Sequence, residues 1–371
     1  MTEKMVLFYP HIPVEARNAA RDVLDTRWVG QGAKVEEFEK MWTEKFAPNS
    51  KSIAVGSGTD ALHLAYILAG VRAGDEVVTP IFTCTATNTA ILYQGAKIVF
   101  ADTKKGSLNV DPEDVARKIT PRTKAIVCVD YGGLPADLDE LQYIADKWQI
   151  PLVEDAAQAH GAEYKGRSVG DISDFTCFSF QAIKIISAPD SGMLTIRNPR
   201  LEDKAKRVRW FGIDRKAKLE SFNRGIWAGD IWELGWKYQT TDILAAMGIE
   251  AMKQIDQTLA HHRELFNAYE EGLRGVAGIK FIGDDQVHRS SCWLATTLVE
   301  NRNGLKEKLA ENGIESDPVH YRNDRYSIFG GRVSDCPNMD ALENQYLVLP
   351  KHFYLTVEDI ARVCDVIKSG W

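Results

Sequence analysis

From about residue 51 to residue 196, short apolar runs alternate with amphipathic stretches. The runs at 52–55, 76–80, 97–102, 125–131, 151–155, 175–180 and 192–196 are rich in Val, Ile and Phe. Such runs predict strands covered on both faces. Between them the spacing predicts helices at 61–69, 112–119 and 137–148. The second begins with Asp111 as N-cap and Pro112 at the first helical position, where a missing N–H costs nothing. Strands that alternate with helices imply an α/β fold: a mainly parallel sheet sandwiched by helices.

After residue 197 the pattern changes. Residues 242–273 read as one long helix, followed by a strand at 292–299, a helix at 304–312, an irregular Gly-, Asp- and Arg-rich stretch, and a closing helix at 357–367. This predicts a smaller C-terminal α+β domain. At 371 residues the chain exceeds the usual single-domain length. The expected division is a large domain with an N-terminal arm at 1–245 and a small domain at 246–371, joined within the long helix.

Charge narrows the range of partners. The net charge of -7 argues against a nucleic-acid surface or a polybasic membrane anchor, while leaving room for a locally positive pocket. The basic run Lys204-Ala205-Lys206-Arg207 reads as one face of a helix. None of the six cysteines has CxxC spacing, so no zinc or redox pair is expected. No run approaches the roughly 18 apolar residues of a membrane span. The expectation is a reduced, cytoplasmic protein.

Four segments carry candidate chemistry. Gly56-Ser57-Gly58-Thr59-Asp60-Ala61 follows a strand and opens a helix, where free N–H groups can meet an anion. A strand-to-helix turn without a ligand fits the same residues. Asp155, in Glu154-Asp155-Ala156-Ala157-Gln158-Ala159-His160-Gly161, ends a buried strand at the sheet edge where α/β proteins bind ligands. A carboxylate there can pair with a protonated pyridine nitrogen or cap a helix. His160 by itself reads as structural. Lys184, in Ser179-Phe180-Gln181-Ala182-Ile183-Lys184, falls on a loop at that edge, where apolar surroundings would lower its pKa as an imine-forming amine requires. A surface lysine is the plainer reading. Gly235-Trp236-Lys237-Tyr238-Gln239-Thr240-Thr241-Asp242 looks like a capped helix start.

Together these segments resemble the DegT/DnrJ/EryC1/StrS sugar aminotransferases, a branch of the fold-type I PLP-dependent transferases. The likeness runs from Trp28-Val29-Gly30-Gln31-Gly32 through Tyr131-Gly132-Gly133-Leu134-Pro135-Ala136-Asp137 and Tyr164-Lys165-Gly166-Arg167 to Leu349-Pro350-Lys351-His352. Its most specific part is Glu-Asp-Ala-Ala-Gln-Ala-His-Gly followed by Ser-Phe-x-x-x-Lys. The resemblance implies pyridoxal 5'-phosphate as cofactor, with pyridoxamine 5'-phosphate formed during the cycle. It implies Lys184 as the Schiff-base and proton-shuttling residue, Asp155 against the pyridine nitrogen and Gln158 near the ring oxygen. Gly58, Thr59 and Ser179 would bind the phosphate, with Asp60 in the same turn. Cys84 would lie where relatives stack an aromatic ring, with Phe82 as a possible substitute. The family is dimeric, so Lys237 would reach the phosphate of the partner's cofactor.

The implied reaction moves an amino group from glutamate to a nucleotide-linked keto-deoxysugar. The Lys237-Tyr238 pair is similar to that of enzymes that aminate C4. A cyclitol ketone, a 3-ketosugar or a non-catalytic PLP-binding role are alternatives. Arg215, Arg224, Trp227, His320, Tyr321 and Arg322 are the basic and aromatic candidates for holding a nucleotide diphosphate. Departures from the family pattern are Cys84, the Pro189-Asp190-Ser191-Gly192 loop, Lys237-Tyr238-Gln239-Thr240, and Phe211 where relatives carry histidine.

Overall fold

A computed structural model describes residues 4–223, 229–285 and 287–371. Two helices, α1 (Val14–Leu24) and α2 (Ala33–Phe46), precede the first strand. Strands β1 (Lys51–Val55), β2 (Glu76–Pro80), β3 (Lys97–Ala101), β4 (Thr123–Val129) and β5 (Leu152–Asp155) then alternate with helices, including α3 (Gly58–Leu68) and α4 (Thr85–Tyr93). With Phe175–Ser179 and Gly192–Ile196 they form a seven-stranded sheet in the order β1, 192–196, 175–179, β5, β4, β2, β3. Only Gly192–Ile196 runs against the rest. The expected mainly parallel α/β sheet is present, and its seven strands lie where the apolar runs predicted them. All five residues of β2 and all four of β5 are buried, which explains why their apolar residues do not alternate with exposed polar ones.

Helix starts follow local chemistry. The Ser57 side chain accepts from the Asp60 amide at the start of α3, and Asp111 accepts from the Glu113 amide ahead of Pro112. The basic run lies on the helix Glu202–Val208. A second sheet, Ile279–Phe281 with Ala295–Val299 and Tyr346–Leu349, is antiparallel throughout. Among the described residues no helix is long and apolar enough to cross a membrane.

Two expectations need correction. The long helix is two helices, Asp242–Lys253 and Ile255–Gly272, jointed at Gln254 (φ -103°, ψ 4°). The first packs on α1 and α2, and the second on Val357–Lys368, so each half buries its apolar face against a different layer. The strand expected from residue 292 begins at Ala295, because Cys292 has φ 52° and breaks the extended run.

The largest core is continuous across the chain. It joins Phe38, Trp42, Phe178 and Phe180 to Met252, Trp293, Leu294 and Tyr346. Phe180 is fully buried, with ring centroids 5.1 Å from Phe38 and Trp42 and 5.5 Å from His160. Burying a side chain of this size contributes about 1.5–3 kcal/mol. That packing anchors the backbone leading from Ser179 to Lys184.

Candidate active site

The carboxyl end of β5 is where the chemistry gathers. Asp155 is buried there. Its Oδ2 accepts from Thr87 Oγ1 of α4 at 2.6 Å, and its Oδ1 from the Ala157 amide at 3.1 Å. Burial pushes the Asp155 pKa up, while the two donors and the Lys184 charge oppose that shift. The carboxylate is therefore aimed and held by fixed dipoles in a dry setting. Beside it, Gln158 Oε1 accepts from the Gly132 amide at 2.7 Å, which leaves its Nε2 3.5 Å from His320 Nε2. Burial and the Lys184 charge lower His320 to about 4. A neutral ring accepting at Nε2 carries its proton on Nδ1.

Lys184 follows the end of strand Phe175–Ser179, its backbone amide bonded to Gln181 O at 2.8 Å. Burial lowers its pKa to about 8, against the raising influence of Cys84 and Asp155. Its amine lies 3.7 Å from the centroid of the Trp293 ring. Among the described residues no hydrogen bond or ion pair reaches that amine. A desolvated amine with a pKa near 8 is available as a nucleophile close to neutral pH.

The third element is an anion cradle. The amides of Gly58 and Thr59, at the start of α3, have no intrahelical acceptor. A side chain at Gly58 would place its Cβ 2.7 Å from Ser179 Cβ, so glycine lets the turn close onto Ser179. Asp60 bonds back to Gly56 and Ser57, with burial raising its pKa to about 6; it braces the turn. Lysine, aspartate and cradle thus lie along one sheet edge. They fit pyridoxal phosphate: a pairable amine for its aldehyde, a buried acid for its ring nitrogen, and amides for its phosphate.

Other candidates fall into separate places. Cys84 is the N-cap of α4, and its sulfur acts electrostatically on both Lys184 and Asp155. Phe82 does not substitute for it at a ring face. It is fully buried against Tyr131 and Tyr346, each 4.9 Å away, because the core claims it. The backbone at 237–239 runs beside the cradle, with the Gly56 amide donating to Tyr238 O at 2.7 Å. The Lys237 amine, however, lies 5.8 Å from the Phe211 ring centroid. Arg215 donates to Gln31 O at 3.2 Å and lies over Trp210. Tyr321 is partly exposed, under Arg325 at 4.4 Å. Arg322 is a structural cation: it is 1% exposed and bonds Asp324 at 2.6 and 2.7 Å, leaving no fork for a nucleotide. Arg224 and Trp227 lie outside the described residues. His160 stacks on Phe178 and Phe180, its pKa lowered to about 3 chiefly by burial.

Sequence reading missed Thr87, Trp293 and Asn323. Thr87 was hidden in a run of helix residues, and Trp293 in an apolar stretch that read as strand. Asn323, fully buried, donates to Thr83 O at 2.7 Å and accepts from Asn88 at 2.9 Å. No local pattern announces that contact.

Residues 10–368 match the DegT/DnrJ/EryC1/StrS aminotransferase family. The chain belongs to this family. GDP-perosamine synthase from Escherichia coli O157:H7 is 29% identical, covering 98% of this chain and 97% of that protein. The crystal structure of AtS13 from Actinomadura melliaura superposes with a TM-score of 0.93 at 33% identity over 100% of both chains. The putative sugar aminotransferase Spr1654 from Streptococcus pneumoniae, solved in a PMP form, has a TM-score of 0.92 at 27% identity over 98% of both chains. Its PLP form aligns at 0.91, 26% identical, over 99% of this chain and 98% of that one. This sugar aminotransferase is therefore a PLP-dependent enzyme with the α/β fold of its relatives. Among the described residues no group of three or more His, Cys, Asp or Glu side chains could hold a metal ion.

Proposed function

We propose that the enzyme transfers an amino group from glutamate to C4 of a nucleotide-linked keto-deoxysugar, with Lys184 and Asp155 as its working residues. The observation that carries the reading is a buried amine and a buried carboxylate at one sheet edge, each acting on the other's charge. Bound pyridoxal phosphate supplies a carbonyl that takes up amino groups and a ring that accepts electron density.

This chain's residues do the rest. With the cofactor bound, Lys184 would hold it, and its amine would take up and return the substrate's proton in each half-reaction. Asp155 would pair with the protonated ring nitrogen, and Thr87 and the Ala157 amide favour its ionised form against burial. Gln158, fixed by Gly132, would face the ring oxygen. Gly58, Thr59 and Ser179 would hold the phosphate. Cys84 would lie against the ring, and His320, beside Gln158, would meet the sugar. Lys237-Tyr238 supports C4 as the position aminated. The exposed Lys237 and the half-buried Arg215 suit a homodimer in which they serve a partner's site or a substrate diphosphate. The relative named as a GDP-perosamine synthase supports a nucleotide-linked acceptor.

The test is a half-reaction assay. Glutamate should bleach the visible absorbance of the purified enzyme. One of a set of UDP-, dTDP- and GDP-linked keto-sugars should then restore it. A spectrum unmoved by glutamate but shifted by another amino acid removes the donor assignment. Recovery with a free cyclitol ketone and with none of the nucleotide sugars removes the acceptor assignment.

A further inference from the structure

Trp293 lies on the far side of the chain from the Lys184 loop in sequence, yet the two touch twice. Its indole Nε1 donates to the carbonyl of Ile183, the residue before the lysine, at 2.9 Å. Its ring face meets the Lys184 amine 3.7 Å from the centroid. We propose that Trp293 is the positioning residue of the Lys184 amine, seating it on the indole face and pinning the loop that carries it. This rests on the reading of Lys184 as the cofactor-bearing residue.

The indole is itself held rigidly. It is 3% exposed. The Ser291 amide donates to Gly133 O at 3.0 Å and the Leu294 amide to Gly132 O at 3.1 Å, one bond on each side of Trp293. Gly133 has φ 95°, and an added Cβ would collide with Ser291 Oγ, so only glycine allows this approach. The same turn fixes Gln158 through the Gly132 amide, and Ser291 Oγ donates to Gln158 O at 2.9 Å. Behind the indole, Phe8 stacks at 5.9 Å with 19° between planes. One turn therefore sets the positions of both Gln158 and Trp293.

The chemistry follows from the ring's quadrupole. An indole face attracts an ammonium, most strongly where water is excluded. Trp293 thus opposes the effect of burial and keeps a proton on the amine until a carbonyl carbon arrives. The other groups acting on that amine are Cys84 at the start of α4, Asp155 at the end of β5, His160 in the turn after it and His320 in the C-terminal loop.

The experiment measures the rate at which cofactor-free protein takes up pyridoxal phosphate, by stopped-flow absorbance, across pH 6–10. In the wild type the rate should rise through a midpoint near the amine's pKa, because only the neutral amine attacks. Trp293→Leu should move the midpoint down by about one unit, the scale of a desolvated cation–π contact. Trp293→Phe, which keeps a weaker ring face but loses the N–H donor, should give an intermediate midpoint and a plateau rate lowered severalfold. An unchanged or raised midpoint in Trp293→Leu overturns the proposal, since lost burial alone would raise the midpoint whereas a lost ring face lowers it. Should that variant fail to fold, wild-type protein made with fluorinated tryptophan should show a lowered midpoint, and Trp293→Phe made the same way should not shift further. Equal shifts in both overturn it. Borohydride reduction of the wild type with peptide mass spectrometry stands apart: absence of a pyridoxyl group on Lys184 removes the underlying reading, whatever the midpoints do.

Discussion

Thr87 Oγ1 donates to Asp155 Oδ2 at 2.6 Å, from α4 to the end of β5. Thr87 has one proton and gives it to the carboxylate, so Thr83, 2.8 Å away, must donate to Thr87. The Thr83 carbonyl in turn accepts from Asn323, which also bonds Asn88. A residue near the end of the chain thereby steadies the helix that aims the acid.

Replacing Thr87 with valine keeps the volume and removes the donor. A hydrogen bond to a charged group is worth about 1.5–3 kcal/mol. The affinity of cofactor-free protein for pyridoxal phosphate should therefore fall on the order of tenfold or more. Thr87→Ser should recover most of the loss. An absorbance titration checks it, and equal affinity in wild type and Thr87→Val would show that Asp155 does not depend on this bond.

Asp130 and Glu154 form a buried carboxyl pair at the ends of neighbouring strands, where Asp130 Oδ2 and Glu154 Oε1 have no hydrogen-bond partner. Burial and mutual repulsion push Asp130 well above the usual carboxylate range, and burial raises Glu154. The folded protein thus keeps a proton that the unfolded chain releases above its carboxyl pKa of about 4. Wild-type stability contributed by the pair is full below that pH and declines as pH rises. Glu154→Gln supplies a donor without a proton to lose, so its stability relative to wild type should grow with pH. Denaturant melts from pH 5 to 9 measure this, and a constant gap would mean the pair holds no proton.

Lys351 is buried with its amine 2.6 Å from His262 Nδ1. Burial lowers the lysine to about 7 and His262 well below its usual value. The unfolded lysine titrates near 10.4. Between about 7 and about 10.4 the unfolded state binds the extra proton, so wild-type stability gains with rising pH in that window. Below it, both states are charged and the full cost of burying the charge applies. Lys351→Met should exceed the wild type most at pH 6, with the gap closing toward pH 10 by up to about 1.4 kcal/mol per unit. A pH-independent gap in chemical denaturation would exclude a depressed lysine.

Much of this was legible in the residues themselves. Short Val- and Ile-rich runs bounded by turn residues read as strands buried on both faces, and Asp-Pro or Ser-Gly turns mark helix starts through bonds made within a few residues. The placement of Asp155 and Lys184 at one sheet edge followed from parallel topology, because every forward strand delivers its last residue to the same side.

Tertiary structure alone decided what surrounds them. Trp293, Thr87 and Asn323 reach the site through contacts between segments far apart in the chain. Hydrophobic periodicity reports how a residue lies in its own element and carries no information about which element it meets. The break at Gln254 and the positive φ of Cys292 arose likewise, since each half-helix and the short strand found a different surface to bury. The lysine's depressed pKa belongs to that level too: water is excluded by the whole packed edge, and no single stretch of sequence encodes it.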